Sequence, residues 1–427
     1  MSGIPIGAQS DVGTEFSENG PGNKVLLFRR ALLRRNIQVI TSARSGGERL
    51  PLWAGSFAGE VKLFRGVMSA EKGIFAHKVV RDKAATKKVL EEAGFNVPRS
   101  LNIKDGASSP EELFDDIQTE GLLPGVLKPN GGSHGTGVTM GIRTLEDFRS
   151  ALSVAGDSPI FEEEIQGRDY RLVTIGNSFK AATERKPAYV TGDGQSEIYQ
   201  LVSQKNKERA KNPSTQNHPI RLDEATDACL AKQGLSTHSI PGNGVEVQLR
   251  TVANLGSGGE GYDRTDDVHP GFIRVCEKVP HLLGAVEILG IDIIAEDISI
   301  APDRQNWSIL ELNANPDIDL QYWPWHGERR DIADQLARFY FPESEIGETM
   351  SATLLIGGKV RTPALADWVD RNCLNAGLKV SQSVSESGLK LQLMGTRASM
   401  DWFVEMLIRS RTGAIIRSVK ISHFHGS

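Results

Sequence analysis

Val126–Val138 reads VLKPNGGSHGTGV. A short apolar run ends in Lys-Pro and passes into a loop carrying four glycines. Loops of this composition cradle phosphates through their backbone N–H groups. Two familiar templates fail. A P-loop needs Lys-Ser/Thr after its last glycine, and Val138 and Thr139 follow Gly137 instead. A dinucleotide turn begun at Gly135 and Gly137 needs a third glycine where Met140 stands. Here the lysine precedes the loop, so Lys128 sits on a strand from which it can reach the α- and β-phosphates while the glycines cover the terminal one. A mobile surface hairpin accounts for the same composition equally well.

A second stretch changes that balance. In Ile309–Asn315, ILELNAN, Glu311 and Asn313 are two apart and share one strand face, with Leu310 and Leu312 on the other. The preceding apolar strand, IDIIAEDISI, carries Asp297. Two carboxylates and a neutral amide oxygen suit a Mg²⁺ ion bridging nucleotide phosphates. The alternative is a solvated polar face, which the apolar flanks weaken, because buried acids are costly unless paired or metal-bound.

The rest of the chain frames these motifs. It has 427 residues, 39% of them hydrophobic and 24% charged, with a net charge of −5. That balance predicts no nucleic-acid footprint. Three scattered cysteines predict reduced thiols and a cytoplasmic setting. No apolar run predicts a membrane span, and the N-terminus does not read as a secretory signal. Residues 1–23 read as a disordered tail and 24–82 as a helix (24–36), a strand (37–43) and further N-terminal sequence. Helices are expected over DKAATKKVLEEAG, TLEDFRSALSVAG and FIRVCEKVPHLLGAVEILG, and a hairpin around Gly176-Asn177-Ser178. ERRDIADQLARFYFP closes a domain spanning 83–342. The order βαββαβ over 349–427 predicts a small ferredoxin-like domain.

Seven blocks together resemble the ATP-grasp superfamily of carboxylate–amine ligases, most of all the ATP-grasp modules of cyanophycin synthetases and bifunctional glutathione synthetases. They are DKAATKKVLEEAGFNVP, VLKPNGGSHGTGV, FEEEIQGRDYRLV, AATERKPAYVTGDGQSEI, RTVANLGSGGEGYDRTDDVHP, ILELNANPDIDL and HGERRDIADQLARFYFP, in order over residues 78–342. The resemblance implies a mixed α+β and α/β chain: an ATP-grasp fold followed by the ferredoxin-like domain. It implies ATP and Mg²⁺, with Mn²⁺ as a substitute. Lys83 and Lys128 would meet the ATP phosphates, and Ser133, His134 and Gly135 would cover them. Glu162 to Ile165, Glu164 included, would contact adenine, and Asp169 the ribose. Asp297, Glu311 and Asn313 would hold the metal. Arg250 would stabilise the acyl phosphate, with Arg185 as a second contact to the acid. The activity implied is ligation of an acid, an amino acid such as glutamate through its γ-carboxyl, to an amine. A kinase that stops at a phosphorylated product and a non-catalytic nucleotide-binding module are the competing readings. Small-molecule partners and a homodimer are expected.

Two departures qualify the resemblance. The metal strand continues NANPDIDL, placing Asp317 and Asp319 where an amine substrate is expected; they bind its ammonium or cap the turn. The C-terminal domain resembles acylphosphatase in order and apolar pattern. The catalytic arginine and asparagine of that family would fall at Ala366 and near Val384, so phosphatase activity is not expected.

Overall fold

The protein is described from a computed structural model covering residues 23–41, 52–69, 80, 82–103, 109–130, 137–156, 158–284, 286–360, 363–385, 388–408 and 415–424. Nearly all of the expected tail lies outside these residues. The chain divides into two compact units. One comprises Met1–Glu71, Asp317–Asp319 and Asp331–Ser427, the other Lys72–Pro316 and Leu320–Arg330.

The first unit opens with α1 (Asn23–Arg34), which buries Leu26, Leu27, Phe28, Ala31, Leu32 and Leu33. A helix apolar around so much of its girth belongs inside a core. Strands β1 (Gln38–Thr41), β2 (Leu52–Phe57), β3 (Glu60–Arg65) and β4 (Met68–Ser69) follow as an antiparallel meander in chain order. Only β1 was legible. The β2–β3 loop is two residues, Ala58 and Gly59, both at positive φ (50° and 86°). Tight hairpins require that geometry, but alanine in the first position gives no turn signal.

The second unit begins at α2 (Lys83–Glu92), where Asp82 caps the helix by accepting from Ala85 N. A four-stranded antiparallel sheet is built from β5 (Ser100–Asn102), β6 (Gly125–Pro129), β7 (Thr139–Ile142) and β8 (Pro159–Glu163), in the order β5-β8-β6-β7. Helices α3 (Pro110–Thr119) and α4 (Leu145–Leu152) supply Phe114, Ile117 and Phe148 to its core, against Leu127 and Phe161 of the sheet. The hairpin of β9 (Arg168–Ile175) and β10 (Ser178–Lys186) turns at Gly176-Asn177 as expected. An insertion follows: β11 (Tyr189–Thr191), α5 (Ile198–Arg209), α6 (Glu224–Ala231) and β12 (Glu246–Gln248), packed on its own core. Then come β13 (Glu260–Asp263), α7 (Pro270–Leu282), β14 (Ile288–Ala295) and β15 (Trp307–Asn313). The five-stranded sheet runs β13-β10-β9-β14-β15, and α7 packs on β9 and β10. The helix expected to continue to Gly290 stops at Leu282. Gly284 adopts φ +74° just past its end, a helix-stopping conformation, and Ile288 already belongs to β14.

The first unit resumes with α8 (Ile332–Tyr340). The sequence placed this helix at the end of the 83–342 domain; in the structure it groups with α1. Asp334 accepts from Arg35 Nε (2.9 Å) and Nη2 (2.7 Å), and Tyr340 rings with Phe28 and Phe64. Strand β16 (Met350–Lys359), helix α9 (Pro363–Ala376), strands β17 (Lys379–Ser385) and β18 (Gly388–Gly395), helix α10 (Arg397–Ile408) and strand β19 (Ile415–Phe424) complete it. The element order is βαββαβ and the sheet order β17-β18-β16-β19. Thr396 Oγ1 donates to Leu33 O at 2.6 Å, fastening α10 to the end of α1. Among the described residues no helix is long and apolar enough to cross a membrane.

Candidate functional site

One face of the five-stranded sheet, opposite the α7 face, carries an unusual density of charge. Strand register dictates which side chains meet there. Arg185 of β10 is opposite Asp169 of β9, Arg171 of β9 is opposite Asp292 of β14, and Asp292 is opposite Glu311 of β15. Since side chains alternate, Asp169 with Arg171 and Glu311 with Asn313 share that face. The register produces direct contacts. Arg171 grips Asp292 with two nitrogens, through Nε and through Nη2 at 2.9 Å. Arg185 Nη2 bridges Asp169 (2.6 Å) and Asp292 (3.1 Å). Asn313 Nδ2 donates to Glu311 Oε1 at 3.2 Å, and Lys83, the first residue of α2, lies 3.5 Å from Glu311 Oε2.

Glycine makes room for this arrangement. A Cβ on Gly290 would lie 3.0 Å from Arg171 Cδ and 2.9 Å from Pro316 Cβ. The bare backbone there lets the Arg171 stem lie across β14 and deliver its guanidinium to Asp292. Burial alone would raise the Asp292 carboxyl, but Arg171 and Arg185 more than reverse this and hold it well below the usual carboxylate range. Burial works to lower the Arg185 guanidinium, and Asp169 and Asp292 drive it up instead. The face thus sets three acidic side chains (Asp169, Asp292, Glu311) against three basic ones (Arg171, Arg185, Lys83), and burial pushes the Asp169 carboxyl up against the pull of Arg185.

Two of the expected site residues have other partners in the structure. Asp297 does not join Glu311 and Asn313. It lies two residues past the end of β14 and caps a turn by accepting from Ser299 N (2.9 Å) and Oγ (2.7 Å). The carboxylate that the register brings to Glu311 is Asp292. Arg250 is likewise elsewhere. Its Nη2 holds both oxygens of Asp223 at 2.8 Å and its Nη1 donates to Thr226 Oγ1 and, at 3.0 Å, to Leu249 O. It ties the N-terminus of α6 to the segment just after β12. The arginines beside the carboxylates are Arg171 and Arg185, and Arg171 was missed. The spacing of Asp169 and Arg171 on β9 was its signal, legible only once β14 is known to be the neighbour.

The adjoining sheet supplies a second charged group. Lys128 of β6 lies 2.8 Å from Glu162 Oε2 of β8, and Lys87 of α2 contacts the other oxygen. Glu163 turns outward and is held by Arg99. Glu164 accepts from Gly141 N at 2.9 Å, and Ile165 is half-buried just beyond β8. Ser133, His134 and Gly135 lie outside the described residues. Asp317 pairs with Lys24 at 2.9 Å and Asp319 accepts from Asn23 at 3.3 Å, both within the first unit.

No protein-family profile matches the chain. Individual proteins do. A cyanophycin synthetase of Crocosphaera subtropica is 33% identical over 318 residues, 73% of this chain and 36% of that protein. The glutathione biosynthesis bifunctional protein GshAB of Clostridium perfringens is 33% identical over 272 residues, 62% of this chain and 34% of that one. The crystal structure of a bifunctional glutathione synthetase from Pasteurella multocida aligns with a TM-score of 0.55 and 26% identity, over 75% of this chain and 44% of that one. The ATP-grasp fold class expected from the seven blocks is the one observed. Within that class the chain is a relative of cyanophycin synthetases and bifunctional glutathione synthetases. It spans about a third of the length of the curated relatives it matches.

Proposed function

We propose that the protein is an ATP-dependent ligase that joins a carboxylate to an amine through an acyl phosphate, releasing ADP and phosphate. The observation that carries this reading is the register-built face on which Arg171, Arg185, Asp292, Glu311, Asn313 and Lys83 converge. The acid's oxygen attacks the γ-phosphorus of ATP, forming the acyl–phosphate bond as the bond to the ADP oxygen breaks. The amine nitrogen then attacks the acyl carbon, phosphate departs and the nitrogen loses a proton. No side-chain nucleophile is needed, so the site's task is to bind, orient and neutralise charge.

Lys83 and Lys128 offset phosphate charge. Arg185 and Arg171 orient the acid's carboxylate, an anion that planar guanidinium groups recognise through paired hydrogen bonds. Among the described residues no three His, Cys, Asp or Glu side chains cluster tightly enough to hold a metal by themselves. Asp292, Glu311 and the amide of Asn313 nevertheless form an all-oxygen donor set on adjacent strand positions, which fits a hard divalent cation. Mg²⁺ held there would supply positive charge to the phosphates. The acid is an amino acid, with glutamate through its γ-carboxyl the first to try.

The test is a pairwise panel of amino acids and amines, read by ADP release and mass detection of the amide. Amine-dependent ADP release that Glu311→Ala abolishes is the expected result. A stable phosphorylated product with no amide, whatever amine is offered, replaces the ligase by a kinase. Nucleotide binding without turnover across the panel leaves only a binding module.

A further inference from the structure

Lys87 has no part in the reaction as written above. It stands one helical turn beyond Lys83 on the same face of α2, but it points to the other sheet. There its ammonium meets one oxygen of Glu162 while Lys128 holds the second. Lys87 is 8% exposed, Glu162 3% and Lys128 8%. One buried carboxylate therefore faces two buried ammonium groups. Of the other charged groups, Glu163 on β8 also faces Lys87 but is already held by Arg99. The cluster carries one positive charge in excess, in a setting where uncompensated charge is expensive.

Stoichiometry matters here. With Lys128 as its only partner, Glu162 would be stranded in the interior each time Lys128 turned to a phosphate. With Lys87 on the opposite oxygen, Lys128 can leave and Glu162 keeps a buried partner. We propose that Lys87 is a positioning residue for nucleotide binding, holding Glu162 so that Lys128 is free to pass from carboxylate to phosphate. The inference rests on the ATP-dependent reading above, and it assigns a role to a side chain that touches neither nucleotide nor acid. Burial lowers the Lys87 ammonium to about 8, against the attraction of Glu162 and with the repulsion of Lys128.

The experiment uses the intact protein, Mg²⁺ and a fluorescent N-methylanthraniloyl derivative of ATP. Lys87→Met is expected to raise the Kd for the nucleotide, and KM for ATP, about tenfold, the scale of one charge-assisted hydrogen bond, with kcat little changed. Adding Glu162→Gln to Lys87→Met is expected to restore binding, because Lys128 then has no carboxylate to abandon. Lys87→Arg is expected to bind as the wild type does. The wild-type Kd should rise between about pH 7 and about pH 9.5 as Lys87 loses its proton, and Lys87→Arg should lack that rise. Unchanged binding by Lys87→Met overturns the proposal. So does a loss that Glu162→Gln does not repair in a protein of unchanged melting temperature. If Lys87→Met does not fold, the pH comparison of wild type with Lys87→Arg decides, and equal slopes overturn it. Failure of the wild type to bind any nucleotide is a different outcome, and removes the ATP-dependent reading itself.

Discussion

Asp292 is wedged between two guanidinium groups, and removing its charge leaves Arg171 buried without its carboxylate and Arg185 with Asp169 alone. Asp292→Asn is therefore expected to cost about 3–5 kcal/mol of stability, the range for breaking a buried ion pair from one side. Asp297→Asn should cost about 1 kcal/mol or less, because it loses hydrogen bonds in a solvent-screened turn. Urea unfolding of the two variants measures both. The same pair separates the two metal assignments: turnover should survive Asp297→Asn and not Asp292→Asn. Both aspartates lie in one apolar segment, and from sequence alone either could face Glu311. Strand register decides between them, and register is set by pairing that sequence spacing does not show. Glu311 and Asn313 were legible because a two-residue spacing within a single strand needs no partner. Lys87 adds a pH dependence. Its folded-state value of about 8 lies below its ordinary 10.5, so the unfolded chain binds more protons between these limits. Its contribution to stability is present above pH 10.5 and is lost as pH falls through 8. Stability of the wild type should therefore climb relative to Lys87→Met from pH 8 to pH 10.5, by urea unfolding across that range.

At the level of strands and helices, β14 is where composition and geometry depend on each other most. Gly290→Ala would place a methyl group 2.9 Å from Pro316 Cβ and 3.0 Å from Arg171 Cδ. Proline cannot yield easily, so the Arg171 stem must shift and its grip on Asp292 loosen. A loss of about 1–3 kcal/mol is expected, as for overpacking elsewhere, together with weaker binding of the acid substrate. Thermal unfolding and KM for the acid read the two effects separately. The helix over TLEDFRSALSVAG was legible, and its start is fixed by Thr144, which opens α4 and shares a reciprocal cap with Asp147. The β2–β4 hairpins were not, because their turns lack the usual asparagine, aspartate or paired glycine. The end of α7 was overrun because VEILG continues an apolar pattern that suits a helix and a buried strand equally.

On the scale of the whole molecule, two segments far apart in sequence, up to Glu71 and from Asp331 onward, make one unit. The apolar residues of α1 are buried with α8, α9 and α10, elements that begin roughly three hundred residues later. No local pattern could have revealed that partnership, which is why the sequence divided the chain into consecutive pieces. Deleting residues 349–427 should uncover the α1 face and remove the Thr396 tie to Leu33. A lower melting transition and strong binding of a hydrophobic dye are expected, while the unit spanning Lys72–Pro316 keeps its own transition in calorimetry.

The joining of these two distant segments also bears on how the protein is made. On the ribosome α1 emerges well before its helical partners α8, α9 and α10. At roughly 5–20 residues per second the delay is on the order of tens of seconds. Throughout it Phe28 can pack on Trp53 and Phe64 of β2 and β3, but the α1 side chains that face α8, α9 and α10 lack those partners, while the intervening unit has all its residues and can fold. A helix translated before the intervening unit is thus completed after it, and slowing elongation should lengthen the period in which a chaperone can be captured on α1.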